Sequence, residues 1–108
     1  MNPIKIKQKP AHYTILQELL SGAQASGRTD RELKAAQAIL QKVYLRVVKK
    51  AIEARTNPNS KPKSLELAYY EAHELEKLLR ANRGLFRAGS YEYNAVLSIA
   101  DELDQKLQ

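Results

Sequence analysis

The sequence predicts an all-α protein, a small up-and-down bundle of three long helices plus one short N-terminal helix. Its composition favours helix over strand, since 15 leucines and 14 alanines stand against four valines and three threonines. Apolar residues also recur at helical spacing in four segments, which are separated by glycine, proline and asparagine. A chain of 108 residues has the length of one domain.

We expect residues 1–11 to form a basic N-terminal arm ahead of a single helical-bundle domain over residues 12–108. Within the arm, Ile4 and Ile6 alternate with lysines, but two prolines bracket the run. A strand needs a partner strand, and the rest of the sequence shows no second strand pattern. The arm is therefore expected to be an extended tail whose isoleucines pack onto the domain.

Local signals bound the first two helices. The short first helix is expected over about residues 12–23, where it meets a break rich in glycine and serine. Thr29 and Glu32 form a predicted capping box, in which each side chain accepts a hydrogen bond from the backbone N–H of the other residue. The second helix is expected over about residues 30–55.

The third and fourth helices follow a loop over residues 56–63, which contains two prolines and two asparagines. Ser64 is a suitable N-cap for the third helix. This helix ends at Arg83 or at Ala88, because a glycine follows each of them and glycine commonly ends a helix. Ser90 then caps a fourth helix, which reaches nearly to the last residue.

Two apolar rows run along the second helix. The first row is the expected core seam, and its members are Leu33, Ala36, Leu40, Val43, Val47, Ala51 and Ala54. The second row consists of Leu45, Val48 and Ile52 and lies roughly 90–150° further around the helix. A helix that is apolar on two sides packs against two neighbours or dimerises, so a closed monomer and a homodimer are both open.

Basic residues are concentrated in the first part of the chain. The protein carries 18 Lys and Arg against 12 Asp and Glu, a net charge of +6. Residues 1–63 hold 13 basic and four acidic side chains, whereas residues 64–108 hold five and eight. A basic half is typical of a protein that meets nucleic acid, anionic lipid or an acidic protein, and it equally fits an acidic half that neutralises it.

The leading functional prediction is a non-catalytic protein–protein interaction module, a small regulator or adaptor. One predicted binding surface is the second row of the second helix. The other is the Arg–Tyr corner, where two arginines and two tyrosines meet between the third and fourth helices. The residues of the two surfaces are Leu45, Val48 and Ile52, and Arg83, Arg87, Tyr91 and Tyr93.

The alternative prediction is a nucleic-acid-binding accessory protein. Several basic residues of the second helix share one face, where like charges four residues apart repel each other until an anion neutralises them. Together with the lysines of the arm, the predicted phosphate-binding residues are Lys5, Lys7, Lys9, Arg31, Lys42, Arg46, Lys49 and Lys50. Membrane binding is not expected, because the apolar face of this helix is needed for the core.

The sequence predicts no catalytic, cofactor or metal site. Cysteine is absent, which excludes disulfides, thiol nucleophiles and cysteine-ligated metals. No phosphate-binding glycine loop or nucleophile-elbow motif occurs. His73 and Glu76 are a single pair, in the reverse order of the Glu-x-x-His motif of di-metal bundles. No signal-peptide or membrane-spanning stretch is present, so we expect a cytoplasmic protein.

Overall fold

A computed structural model describes residues 3–24, 31–57 and 61–108, which hold four α-helices and a two-stranded sheet. The elements in chain order are β1 (Ile4–Gln8), α1 (Pro10–Gln24), α2 (Arg31–Thr56), β2 (Lys63–Leu67), α3 (Tyr69–Asn82) and α4 (Tyr91–Leu107). A short 3-10 turn, Arg83–Leu85, follows α3. The predicted class, an all-α helical bundle, is confirmed, and the small sheet is added to it.

The N-terminal arm contains a β-strand. β1 pairs antiparallel with β2, so that Ile4 lies opposite Leu67 and Ile6 lies opposite Leu65. All four of these side chains are buried, whereas Lys5 and Lys7, which alternate with the isoleucines on β1, are exposed. The expectation that the arm has no partner strand is therefore wrong, because the partner lies in the segment that was expected to begin the third helix.

The third helix begins at Tyr69, and its N-cap is Ala68 rather than Ser64. The Glu71 carboxylate accepts a hydrogen bond from the backbone N–H of Ala68 at 2.8 Å, which fixes the first turn. The prediction failed because Leu65 fits both a helical row with later residues and a two-residue alternation with Leu67. Pairing with the arm decides in favour of the strand.

The other end of α3 lies beside the earlier of its two predicted ends. The α-helix stops at Asn82, and the 3-10 turn carries the chain on from Arg83. Gly89 then adopts a φ of 82°, a left-handed conformation that glycine adopts at low cost. Ser90 caps α4 as predicted, since its Oγ accepts a hydrogen bond from the Tyr93 N–H at 3.2 Å.

The core forms where α1 packs against α2 and α4, with the sheet and α3 completing it. On α2 the buried side chains are Leu40, Val43, Val47, Ala51 and Ala54. These positions confirm most of the predicted core seam, and Ala36 is half-buried. The side chain of Leu33 and the predicted Thr29–Glu32 capping box lie outside the described residues.

A polar cluster joins β1 to α1 and α4. The ring nitrogen Nδ1 of buried His12 donates to Gln8 Oε1 at 2.7 Å, and Gln8 Nε2 donates to Glu102 Oε1 at 2.7 Å. The Glu102 carboxylate also accepts the Lys7 backbone N–H at 2.9 Å. Because this N–H points away from β2, α4 occupies the free edge of β1 at Lys7, where another strand could otherwise pair.

Candidate interaction surface

The second row of α2 faces outward. Leu45 and Ile52 keep 60% and 52% of their surface exposed, while Val48 between them is half-buried. The core seam on the other side of the same helix is buried from Leu40 to Ala54. The two rows predicted from the sequence thus have different environments, since one is covered by the bundle and the other is open to solvent.

An exposed strip continues the second row towards the start of α2 through one apolar and one polar residue. Ala38 and Gln41 are exposed and precede Leu45 by seven and four residues, so they continue the second row along the helix. At the far end of the strip, Arg55 turns towards α1, where its Nη2 donates to Gln17 Oε1 at 3.3 Å. The strip therefore follows α2 over about four helical turns.

Arg46 is part of the fold rather than of a free basic face. Its guanidinium donates two hydrogen bonds to the Glu71 carboxylate, at 2.8 and 2.6 Å, and a third to the Glu66 carbonyl at 3.0 Å. Glu71 is only 2% exposed, whereas 42% of the Arg46 side chain is accessible to solvent. This bidentate ion pair joins α2 to the end of β2 and the start of α3.

Burial and ion pairing act in opposite directions on the pKa of Glu71. Burial raises the pKa of this carboxyl, but the hydrogen bonds from Arg46 and from the Ala68 N–H lower it, helped by the charge of Lys42. The net result is a pKa below the ordinary value of 4.5. The Glu71 hydrogen bonds raise the pKa of Arg46 further above its ordinary range. The pair is therefore fully charged near neutral pH.

The other predicted phosphate-binding residues divide into paired and unpaired cations. The Lys5 ammonium lies 3.8 Å from the Glu66 carboxylate across the sheet. Lys42 and Lys49 are exposed on α2, and Lys50 beside them is half-buried. Over the described ranges, these three lysines and the exposed Lys7 and Lys9 make no ion pair. The Arg31 side chain lies outside the described residues.

The Arg–Tyr corner is exposed at the junction of α3 and α4. Arg83 and Arg87 are both accessible, and Tyr91 is 53% exposed with one side of its ring against His12, at a centroid distance of 5.8 Å. Tyr93 is half-buried. Leu85 in the 3-10 turn is 75% exposed. Leu85 was not predicted as a surface residue, because a leucine at helical spacing is as compatible with a buried position as with an exposed one.

Sequence reasoning also missed a cleft between α2, the end of β2 and the start of α3. Its volume is about 750 Å³, and Tyr69 and Tyr70 at its rim are both about half exposed. No single stretch of sequence indicates it, because the walls come from three separate segments. The lining residues are Pro3, Arg46, Glu66, Leu67, Ala68, Tyr69, Tyr70 and Glu71.

The described ranges contain neither a metal-ligating cluster nor a helix that could span a membrane. Throughout the described ranges, His, Asp and Glu side chains nowhere gather in a group of three or more that could hold a metal ion. His73 is exposed on α3. None of the helices in those ranges combines the length and the apolar character needed to cross a membrane.

Comparisons of the chain with models of protein families, with curated proteins and with solved structures find no match.

Proposed function

We propose that this protein is a non-catalytic protein-interaction module, a small regulator or adaptor that binds its partner through the second row of α2. One observation carries the proposal: Leu45 and Ile52 are more than half exposed on the side of α2 that faces away from its buried core seam. The core is closed by the opposite side of the helix, so the second row has no part in it.

Burial of these side chains is a source of binding free energy. Covering an exposed leucine or isoleucine completely contributes roughly 1.5–3 kcal/mol. Leu45 and Ile52 lie two turns apart on one helix, close enough for a single partner to cover both. Aliphatic side chains of this kind act as anchors when a partner element packs over them, and the polar residues around them form the rim of the interface.

The proposal is tested by capture of partners from host cell extract with the immobilised protein. The Leu45→Ser/Ile52→Ser variant is compared with the wild type and with Tyr69→Ser, a matched control at an exposed residue of α3. We expect the double variant to reduce partner recovery about tenfold or more, because each serine removes roughly 1 kcal/mol or more of the free energy gained by burying the aliphatic side chain. The control should recover the partner as the wild type does. Equal recovery by all three proteins would exclude the second row as the binding surface.

Folding of the variants is checked by chemical denaturation. Replacing an exposed apolar residue should leave the free energy of unfolding within about 0.5 kcal/mol per site. A loss of binding without a loss of stability then separates an interface defect from a folding defect.

The Arg–Tyr corner is a second protein-binding candidate. The observation in its favour is the 75% exposure of Leu85 between the two arginines, a combination of apolar and guanidinium groups that is common at interfaces. Leu85→Ser and Tyr91→Ser test it in the same capture experiment. If these changes remove the partner while Leu45→Ser/Ile52→Ser does not, the corner is the binding surface and the second row is not.

Nucleic-acid binding is the alternative function. It is favoured by the exposed ammonium groups of Lys42 and Lys49 on α2, whereas the Arg46–Glu71 ion pair removes one cation from the surface. The test is fluorescence anisotropy with labelled single-stranded and duplex DNA and RNA at about 50 and 200 mM salt. Salt-dependent binding that Lys42→Gln/Lys49→Gln weakens would favour this function. Arg46 is unsuitable as a probe because its replacement disturbs the fold.

Location is part of the same proposal. We place the module in the cytoplasm on the basis of the sequence expectation, and fractionation of host cells tests this placement. Recovery of the protein in a membrane or an extracellular fraction would contradict it.

A further inference from the structure

We propose that the partner of α2 is an acidic amphipathic helix, with an apolar stripe flanked by glutamate or aspartate. This inference rests on the proposed function, and it specifies the chemistry of the partner. It is drawn from the spacing of the exposed residues on α2 and from the sign of the charges beside them.

The exposed strip has the spacing of a coiled-coil seam. Its members are Ala38, Gln41, Leu45, Val48 and Ile52, at successive separations of three and four residues. This is the repeat with which two helices pack side by side over several turns. In heptad terms Ala38, Leu45 and Ile52 hold the first position, and Gln41 and Val48 hold the fourth. An α-helix is therefore the partner element that matches the strip.

The charges beside the strip select an acidic helix. Lys42 and Lys49 each follow a fourth-position residue and lie one heptad apart, so both line the same flank of the seam. Both are exposed, and neither makes an ion pair in the part of the chain that the structure describes. Residues at this heptad position determine partner choice in coiled coils through their charge.

The other flank offers no opposing charge on α2. It carries Tyr44, which is half-buried against the core, and Ala51, which is fully buried. Between Ala38 and Ile52, the charged flank of the exposed strip is thus positive. A partner with glutamates at the facing positions gains from both lysines, whereas a basic partner is repelled by both.

A second copy of this chain would place no carboxylates opposite Lys42 and Lys49. In an antiparallel pairing of two such seams, Lys42 and Lys49 would face the lysines of the other copy. In a parallel pairing they would face Tyr44 and Ala51, which carry no charge. Neither arrangement provides the lysines with carboxylates. Pairing of the exposed strip with a second copy is therefore disfavoured relative to binding of an acidic helix.

The test uses two designed helical peptides, each about three heptads long, with leucine and isoleucine at the seam positions. One peptide carries glutamate and the other lysine at the flanking positions. Affinity for the full-length protein is measured by fluorescence anisotropy at about 50 mM salt, where exposed charges are weakly screened. The protein variants are the wild type, Lys42→Glu/Lys49→Glu, and Lys77→Glu/Lys106→Glu, which makes the same change in net charge on α3 and α4.

We expect the wild type to bind the glutamate peptide about tenfold or more tightly than the lysine peptide. An exposed ion pair contributes up to roughly fivefold in affinity. The glutamate peptide can form two such pairs, whereas the lysine peptide makes two repulsive contacts instead. Lys42→Glu/Lys49→Glu should reverse the order of the two peptides, whereas Lys77→Glu/Lys106→Glu should preserve it. Leu45→Ser/Ile52→Ser should weaken both peptides.

Three outcomes would overturn the inference. Equal affinity for the two peptides, or no binding of either, would show that the lysines do not select an acidic helix. A dimer in light scattering that Leu45→Ser/Ile52→Ser dissociates would show that a second copy occupies the seam. The capture experiment decides separately whether a protein partner uses the second row, so a failure of partner chemistry is distinguishable from a failure of the proposed function.

Discussion

The two sides of α2 are built from similar residues and have different environments. Leu40, Val43 and Val47 are buried in the bundle, while Leu45 and Ile52 are mostly exposed on the same helix. Its cations divide in the same way, since Arg46 pairs with buried Glu71 and Lys49 projects into solvent. Residue type alone does not separate a structural side chain from an available one. The neighbouring elements decide which residue is covered.

The largest expected difference in the free energy of unfolding is between substitutions of two leucines of α2. Leu40→Ala should lower the free energy of unfolding by about 2–5 kcal/mol, because it removes a buried side chain and leaves a cavity. Leu45→Ala makes the same chemical change at a position that is 60% exposed and should cost less than about 0.5 kcal/mol. Urea unfolding of both variants measures the difference. Equal losses would mean that the second row is part of the core.

The next contrast is between two cations of α2. Arg46→Gln should cost about 1–3 kcal/mol, because it leaves the buried Glu71 carboxylate without its cation, while the partial exposure of Arg46 moderates the loss. Lys49→Gln should change stability by less than about 0.5 kcal/mol. A double-mutant cycle of Arg46→Gln with Glu71→Gln measures the coupling. A coupling of zero would contradict the structural role of this pair.

Acid should remove the contribution of the Arg46–Glu71 ion pair to the free energy of unfolding. The pKa of Glu71 in the folded protein lies below its ordinary value of 4.5, so the unfolded chain binds this proton more readily. The stabilisation from Glu71 is present above about pH 4.5 and is lost as the pH falls through the folded-state pKa. Unfolding free energies measured between about pH 3 and 7 should fall less steeply in Glu71→Gln than in the wild type. Parallel profiles would contradict this prediction.

A smaller pH effect is expected at the other end of the sheet, where His12 contacts Gln8. Burial lowers the pKa of His12 below 6.5, and the charge of Lys9 lowers it further. Protonation therefore favours the unfolded chain, and stability should decline as the pH falls below about 6.5 until the folded-state pKa is reached. His12→Gln should remove this decline from an unfolding series between about pH 5 and 8. A decline that persists in the variant would assign it to another group.

The sequence was sufficient for the features that depend on local spacing. Four apolar segments and their breakers predicted four helices, and the two rows of α2 were both present in its spacing. Ser90 was recognised as a cap because its role requires only the residues that follow it. These features depend on residues that lie within one or two helical turns of each other.

Features that depend on distant partners could not be predicted. Leu65 and Leu67 became a strand because Ile4 and Ile6 lie opposite them, and no local signal pairs two segments so far apart in the chain. Arg46 looked like its lysine neighbours until Glu71 was brought against it. The exposure of the second row depends on where α1 and α3 pack around α2, and spacing along one helix does not contain that information.

The most direct test of the proposed binding surface on α2 is a methyl NMR titration of the protein with the glutamate-flanked peptide. We predict that the methyl signals of Leu45, Val48 and Ile52 shift with a common binding curve. The methyl signals of Leu85, which is 75% exposed and so more accessible than the second row but lies at the Arg–Tyr corner, should stay in place. Shifts that centre on Leu85, or no shifts at all, would contradict the assignment of α2 as the binding helix.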